Sequence, residues 1–151
     1  MEVRDYAPAD RAALIALCTE MEAHYDGAAA IGPDVIAAGL DEAMAQLRDT
    51  TVLVAPQADG SLAGLLTAVR TWPGTRMRIV WWVKEVYVAR AARGTGVGTA
   101  LMQTFLGRVR MHDGERADIT TERTNAAAVG LYQRLGGRLT DQVLLRYDAA
   151  S

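Results

Sequence analysis

The chain has 151 residues, enough for one domain that buries a hydrophobic core without disulfides or metal. Half of it is apolar and 23% is charged, which excludes a disordered tail, a collagen-like rod and a disulfide-stapled miniprotein. A net charge of −2 removes any global attraction to nucleic acid, and no apolar run approaches the roughly 20 residues that span a bilayer. The charged N-terminus lacks the apolar stretch of a secretory signal. The lone Cys18 cannot close an intrachain disulfide, so a reducing cytoplasm is expected. Neither His24 nor His112 has ligand-spaced companions, and no metal is expected. Basic residues are 15 arginines and the single Lys84, scattered along the chain, a pattern that reads as genomic base composition.

Met1–Tyr6 reads as a short first strand, and Pro8 and Asp10 open a helix with Asp10 as its N-cap. Leu14, Leu17, Cys18, Met21 and Tyr25 follow the spacing of one buried face. Residues 26–32 read as a loop, and Pro33 starts a second helix. Its apolar stripe is Val35, Ile36, Leu40, Ala43, Met44 and Leu47. Thr50–Ala55 is β-branched and reads as a strand. Asp59-Gly60 turns the chain into a return strand, Leu62–Trp72, and Pro73-Gly74 marks the next turn.

Met77–Val88 is the longest β-type run, apolar without alternation at its middle, as in a strand covered on both faces. A glycine-rich turn leads to a helix over about 95–112 with the stripe Val97, Leu101, Phe105 and Val109. Ala117–Thr121 is a short strand, Asn125–Gly136 a fourth helix, and Arg138–Tyr147 a final strand or hairpin. The order β-α-α-β-β-β-α-β-α-β, with no repeat or linker, is that of a single α/β domain.

The informative segment is the strand that ends at Val88 and the turn Arg93-Gly94-Thr95-Gly96-Val97-Gly98, which runs directly into a helix. Glycine lets a backbone take positive φ and approach a ligand closely. The first amides of a helix have no internal partners and lie at the positive end of its dipole. Together these features suit a pyrophosphate, and Arg93 adds a guanidinium. A Walker loop is excluded, because the only lysine follows Val83. A dinucleotide fingerprint is excluded as well, because glycine would be needed at Thr99 or Leu101. What remains is Arg93-x-x-Gly96-x-Gly98. Alone, this pattern is equally compatible with a turn that binds nothing.

Arg93-x-x-Gly96-x-Gly98 resembles the acyl-CoA pyrophosphate motif of the GNAT superfamily of N-acetyltransferases. Asn125-Ala-Ala-Ala-Val-Gly-Leu-Tyr-Gln-Arg-Leu-Gly136 resembles that family's N-x-x-A-x-x-x-Y-x-x-x-G block, in the expected order and with a strand between. The strong matching covers about 85–137. Two departures are Ala91-Ala92, where the family often has a proline, and Gly137, where it often has an aromatic residue.

The resemblance implies a single-domain α/β (α+β) GNAT-like fold over residues 1–151, its mixed central sheet splayed after the fourth strand. It implies acetyl transfer from acetyl-CoA, the co-substrate, to an amine within a ternary complex. The pyrophosphate would lie on Arg93, Gly94, Thr95, Gly96, Val97, Gly98 and Thr99. The pantetheine arm would run along Val86, Tyr87 and Val88, with the amide of Val86 or a neighbour polarising the thioester. Asn125 would hydrogen-bond CoA or cap its helix, and Tyr132 would protonate the departing thiolate.

Glu85 shares a strand face with Tyr87, and a carboxylate beside a semi-buried cleft has the raised pKa that suits a general base. A water chain is the competing base. Glu20, Glu22, Tyr25 and Asp26, with Glu122, are candidates to meet the acceptor, and their charge favours a small cationic amine. A homodimer fits the family; neither nucleic acid nor membrane is an expected partner. The alternative from another class is a catalytically silent acyl-CoA-binding module.

Overall fold

The computed structural model describes residues 1–46, 49–112 and 114–147. The chain divides into two compact units, Met1–Thr120 and Thr121–Ser151. The first contains β1 (Arg4–Asp5), α1 (Arg11–Asp26), α2 (Pro33–Gln46), β2 (Thr50–Pro56), β3 (Leu62–Thr71), β4 (Val80–Val88), α3 (Val97–Met111) and β5 (Arg116–Ile119). The second contains α4 (Ala126–Arg134).

Among the described residues five strands form one sheet in the order β1-β2-β3-β4-β5. The first three pairings are antiparallel, and β4 pairs with β5 in parallel through the α3 crossover. This is the mixed α/β sheet expected.

The helices divide between the two faces. α3 covers one of them: Val97, Leu101, Phe105 and Val109 are all buried, and the Phe105 ring meets Trp81 edge-on at 5.6 Å. Its first turn sits on Gly64 of β3, where an added Cβ would lie 2.9 Å from Val97 Cγ1 and 2.7 Å from the Tyr87 carbonyl oxygen. Leu53 and Leu66 pair across β2 and β3 and are fully buried. On the opposite face Leu14 and Leu17 of α1 are buried, and α2 packs beside α1. Cover on both faces accounts for the unbroken apolar run at Val80–Val83.

Four expectations are corrected. Asp10 occupies the N-cap position of α1 without capping it. Its carboxylate turns back to accept two bonds from Arg4, at 2.7 and 2.8 Å, and one from the Ala7 amide at 2.9 Å. The fourth strand starts at Val80 rather than Met77, because Arg76 and Met77 take left-handed conformations, at φ 56° and 59°, that interrupt extended chain. The α2 stripe is only half used: Val35 and Met44 are exposed, while Ile36, Leu40 and Ala43 are half-buried; Leu47 lies outside the described residues.

Finally, residues 138–147 carry no strand. Their unit contains no other strand among its described residues to complete a ladder, and Leu139, Val143, Leu144 and Leu145 are exposed.

Candidate active site

The β3–β4 ladder decides which side chains reach the α1 face. Ala68 pairs with Val83 and Thr67 with Glu85, so Lys84 is an extra residue without a partner, a β-bulge. Glu85 and Tyr87, opposite Thr67 and Leu65, therefore both face α1. The parallel β4–β5 ladder ends at Val83↔Ile119, whereas β4 continues to Val88. The Ala89 amide donates to the Ala63 carbonyl of β3 at 2.9 Å. Strand amides alternate in direction, so those of Val86 and Val88 point away from β3.

The Glu85 carboxylate is half-buried. Burial raises its pKa above the ordinary carboxylate value, against the opposing pull of two donors. These are the Tyr25 hydroxyl, at 3.2 Å, and the Val86 amide, at 3.1 Å, both onto Oε1. Two predicted site residues, Tyr25 and Glu85, thus meet. The Val86 amide, expected at a thioester, is occupied by the carboxylate of its neighbour.

The end of α1 lays an aromatic cluster over β4. The His24 ring lies tilted against Tyr25 at 5.2 Å and Tyr87 at 6.0 Å, and Tyr25 meets Tyr87 edge-on at 6.2 Å. Sequence reasoning missed His24, whose i, i+1 position beside Tyr25 gave no stripe signal. Glu20 also has a definite task. Its Oε1 accepts from the Arg90 amide at 2.7 Å and from the Tyr87 hydroxyl at 2.8 Å. The Arg90 bond, more than any other group, holds the Glu20 carboxyl below its usual range. Burial, then Glu20, raises the Tyr87 phenol. Glu20 ties α1 to the start of the glycine turn, a fixed role in place of the substrate-facing one expected.

After β4 a 3₁₀ turn, Arg90–Ala92, leads into the glycine segment. Gly94 and Gly96 have φ of 77° and 91°, conformations that side chains with a Cβ rarely adopt, and the space above both is open. Gly96 is the N-cap of α3 and offers no side-chain cap; the first intrahelical bond shown is Ala100 to the Gly96 carbonyl, at 3.0 Å. The amides of Val97, Gly98 and Thr99 precede it, as the first turn of any helix requires. Thr95 Oγ1 donates to the Ala92 carbonyl at 2.7 Å. Arg93 lies over the Tyr87 ring, 5.5 Å from its centroid, and donates through Nε to the Val88 carbonyl at 3.2 Å. These groups suit the pyrophosphate of an acyl-CoA: a positive-φ turn with clear space above it, uncapped helix amides and an anchored guanidinium.

Of the other candidates, Glu22 is half-buried and Asp26, the last residue of α1, is exposed. In the second unit Asn125 Oδ1 accepts from the Ala128 amide at 3.1 Å, capping α4. Tyr132 is half-buried within that helix, and Glu122 is exposed, its carbonyl accepting from the Asn125 amide at 2.9 Å. Among the described residues no helix is long and apolar enough to cross a membrane, and no group of three His, Cys, Asp or Glu side chains is placed to hold a metal.

Residues 17–137 match the Acetyltransferase (GNAT) family, and the chain belongs to it. It is 33% identical over 95 residues to the L-2,4-diaminobutyric acid acetyltransferase of Chromohalobacter salexigens, covering 62% of this chain and 46% of that protein. It is 32% identical over 94 residues to the L-methionine sulfoximine/L-methionine sulfone acetyltransferase of Pseudomonas aeruginosa, covering 61% and 53%. The chain therefore spans about half the length of the curated relatives it matches. An integron cassette protein from V. cholerae has the same fold, with a TM-score of 0.88 at 24% identity over 98% of this chain and 92% of that one.

Proposed function

We propose that the chain works as one acetyltransferase domain, moving the acetyl group of acetyl-CoA to the primary amine of a small cationic acceptor. The observation that carries the reading is the continuity of β4 with the glycine turn. One strand sets a half-buried carboxylate, Glu85, on the α1 face and then feeds an uncapped helix N-terminus. A base and an anion cradle are thus held a fixed number of residues apart on a rigid element. The curated relatives, named for small amino-acid acceptors, support a small-molecule amine.

In this reading Glu85 takes a proton from the acceptor's ammonium, and its raised pKa brings it nearer the amine than an ordinary carboxylate. The freed amine attacks the thioester carbonyl; the new C–N bond forms, the C–S bond breaks, and the nitrogen sheds its second proton to water, from which Tyr132 recovers the one it gives up. The Val88 amide, which shares the direction of Val86's, is the better placed donor to the oxyanion while Glu85 holds the latter. Tyr132 gives the thiolate its proton and Asn125 bonds the CoA arm, the roles that the family resemblance implies. Glu22, Asp26 and Glu85 supply the negative field that selects a cation.

The test is thiol release from acetyl-CoA across a panel of amines, amino acids, aminoglycosides and peptides. Release dependent on a small cationic amine is expected. CoA binding without release from any acceptor would assign the chain to the silent acyl-CoA-binding class instead.

A further inference from the structure

The α1–α2 face contains a cavity of about 250 Å³ that the chemistry above leaves unused. Its walls are almost wholly apolar: Leu14 of α1, Leu40 and Met44 of α2, Val52 of β2, and Leu65 and Val69 of β3. Three other lining residues tie it to the candidate base. Thr67 stands directly opposite Glu85 in the ladder, and Lys84 precedes Glu85 at the bulge. Cys18, from α1, lies within electrostatic reach of both Glu85 and Glu22. The cavity therefore adjoins the carboxylate that would meet the ammonium group.

We propose that this cavity is the acceptor-tail site, taking the apolar part of a primary amine whose ammonium is presented to Glu85. The inference rests on the acetyl-transfer reading and narrows its acceptor to an amphiphilic monoamine. An apolar cavity of about 150 Å³ already holds a benzene ring, so this one accommodates a ring or an unbranched chain of roughly six carbons. A polyamine fits poorly. Its second ammonium would be desolvated among Leu, Val and Met side chains and would meet the like charge of Lys84.

The experiment compares ethylamine, butylamine, hexylamine and diaminohexane as acceptors at saturating acetyl-CoA. kcat/KM is expected to rise about fourfold per added methylene up to hexylamine, the factor set by burying one CH₂. Diaminohexane is expected to fall well below hexylamine. Ala43→Phe, which fills the α2 wall, should bring the hexylamine-to-ethylamine ratio to one or below; a ratio within one preparation cancels any general loss of folded enzyme.

A second readout needs no turnover: hexylamine, and not ethylamine at the same concentration, should slow modification of Cys18 by dithiodipyridine in enzyme without acetyl-CoA. Acetylation indifferent to chain length would overturn the tail site and leave acetyl transfer standing. If no amine is acetylated, acetyl transfer falls. Cys18 protection then decides the cavity alone, and equal labelling with both amines overturns it.

Discussion

Cys18 gives the sharpest quantitative check on the α1–α2 face. Burial, reinforced by the nearby Glu22 and Glu85 charges, pushes its thiol from an ordinary 9.0 up to about 11. The thiolate is the reacting species. At about pH 8 a thiol of pKa 9.0 is about a tenth ionised, and one at about 11 about a thousandth, a loss of about a hundredfold. The more basic thiolate is intrinsically more nucleophilic, which recovers about eightfold over two pKa units. The net expectation is a reaction with dithiodipyridine at least about tenfold slower than that of a free cysteine, before any slowing by restricted access. The assay is the pseudo-first-order rate of thiopyridone release across pH, with the urea-unfolded chain as reference. The rate should keep climbing past pH 9 in the folded protein and level off near there in the unfolded one. Folded and unfolded rates within twofold, with one shared inflection, would mean that Cys18 does not sit in an apolar, negatively flanked wall.

Other expectations follow from the same geometry. Gly96→Glu places a Cβ at φ 91° and a negative charge at the α3 N-terminus, so CoA affinity measured by calorimetry should be lost while far-UV circular dichroism is retained. Tyr132→Phe should slow turnover by about 10²–10⁴-fold with acetyl-CoA binding nearly intact, if proton donation limits the rate; unchanged turnover would make Tyr132 a packing residue only. Because the Glu85 pKa is raised on folding, ionising it costs stability as pH rises from the ordinary carboxylate value through the raised one. Glu85→Gln should remove that decline in a urea-denaturation series and flatten the acidic limb of the pH–rate profile. The Asp10 carboxyl, held at about 2 first of all by its bonds to Arg4, stabilises the fold above its ordinary 3.8 and loses that effect as pH falls between the two. The ceiling is about 2 kcal/mol, and screening around the partly exposed Arg4 leaves about half of it for Asp10→Asn to remove at neutral pH.

Periodicity made α3 legible in full, because a helix laid on a sheet buries a continuous stripe and the sequence carries nothing else there. The same alternation put Glu85 and Tyr87 on one face. It said nothing of the bulge, since neither Lys84 nor its neighbours is a glycine that would mark one. The α2 stripe was visible, but its burial was not: how deeply a helix seats depends on its partner, and here a cavity remains beneath it. In sequence the acidic end of α1 reads as one group of candidates to meet the acceptor. Only the tertiary arrangement separates Glu20, fixed by a phenol and an amide, from Glu22 and Asp26. Residues 138–147 show the converse limit: an apolar, β-prone segment forms a strand only where another strand offers it an edge.

The bulge at Lys84 makes β4 a strand with two parities. Before it, odd-numbered residues look toward α3, as Trp81 does against Phe105; after it, odd-numbered residues look toward α1, as Glu85 and Tyr87 do. One half of the strand thus builds the core and the other half presents the chemistry, and a single residue divides them. Were Lys84 instead to pair regularly opposite Thr67, with no bulge, Glu85 would fall opposite Leu66 in one unbroken ladder. The carboxylate of Glu85 would then turn toward Val97 and Leu101, where nothing could solvate it. Reading frame in the protein sense, an odd or even count along nine residues of chain, sets which side of the sheet can do chemistry at all.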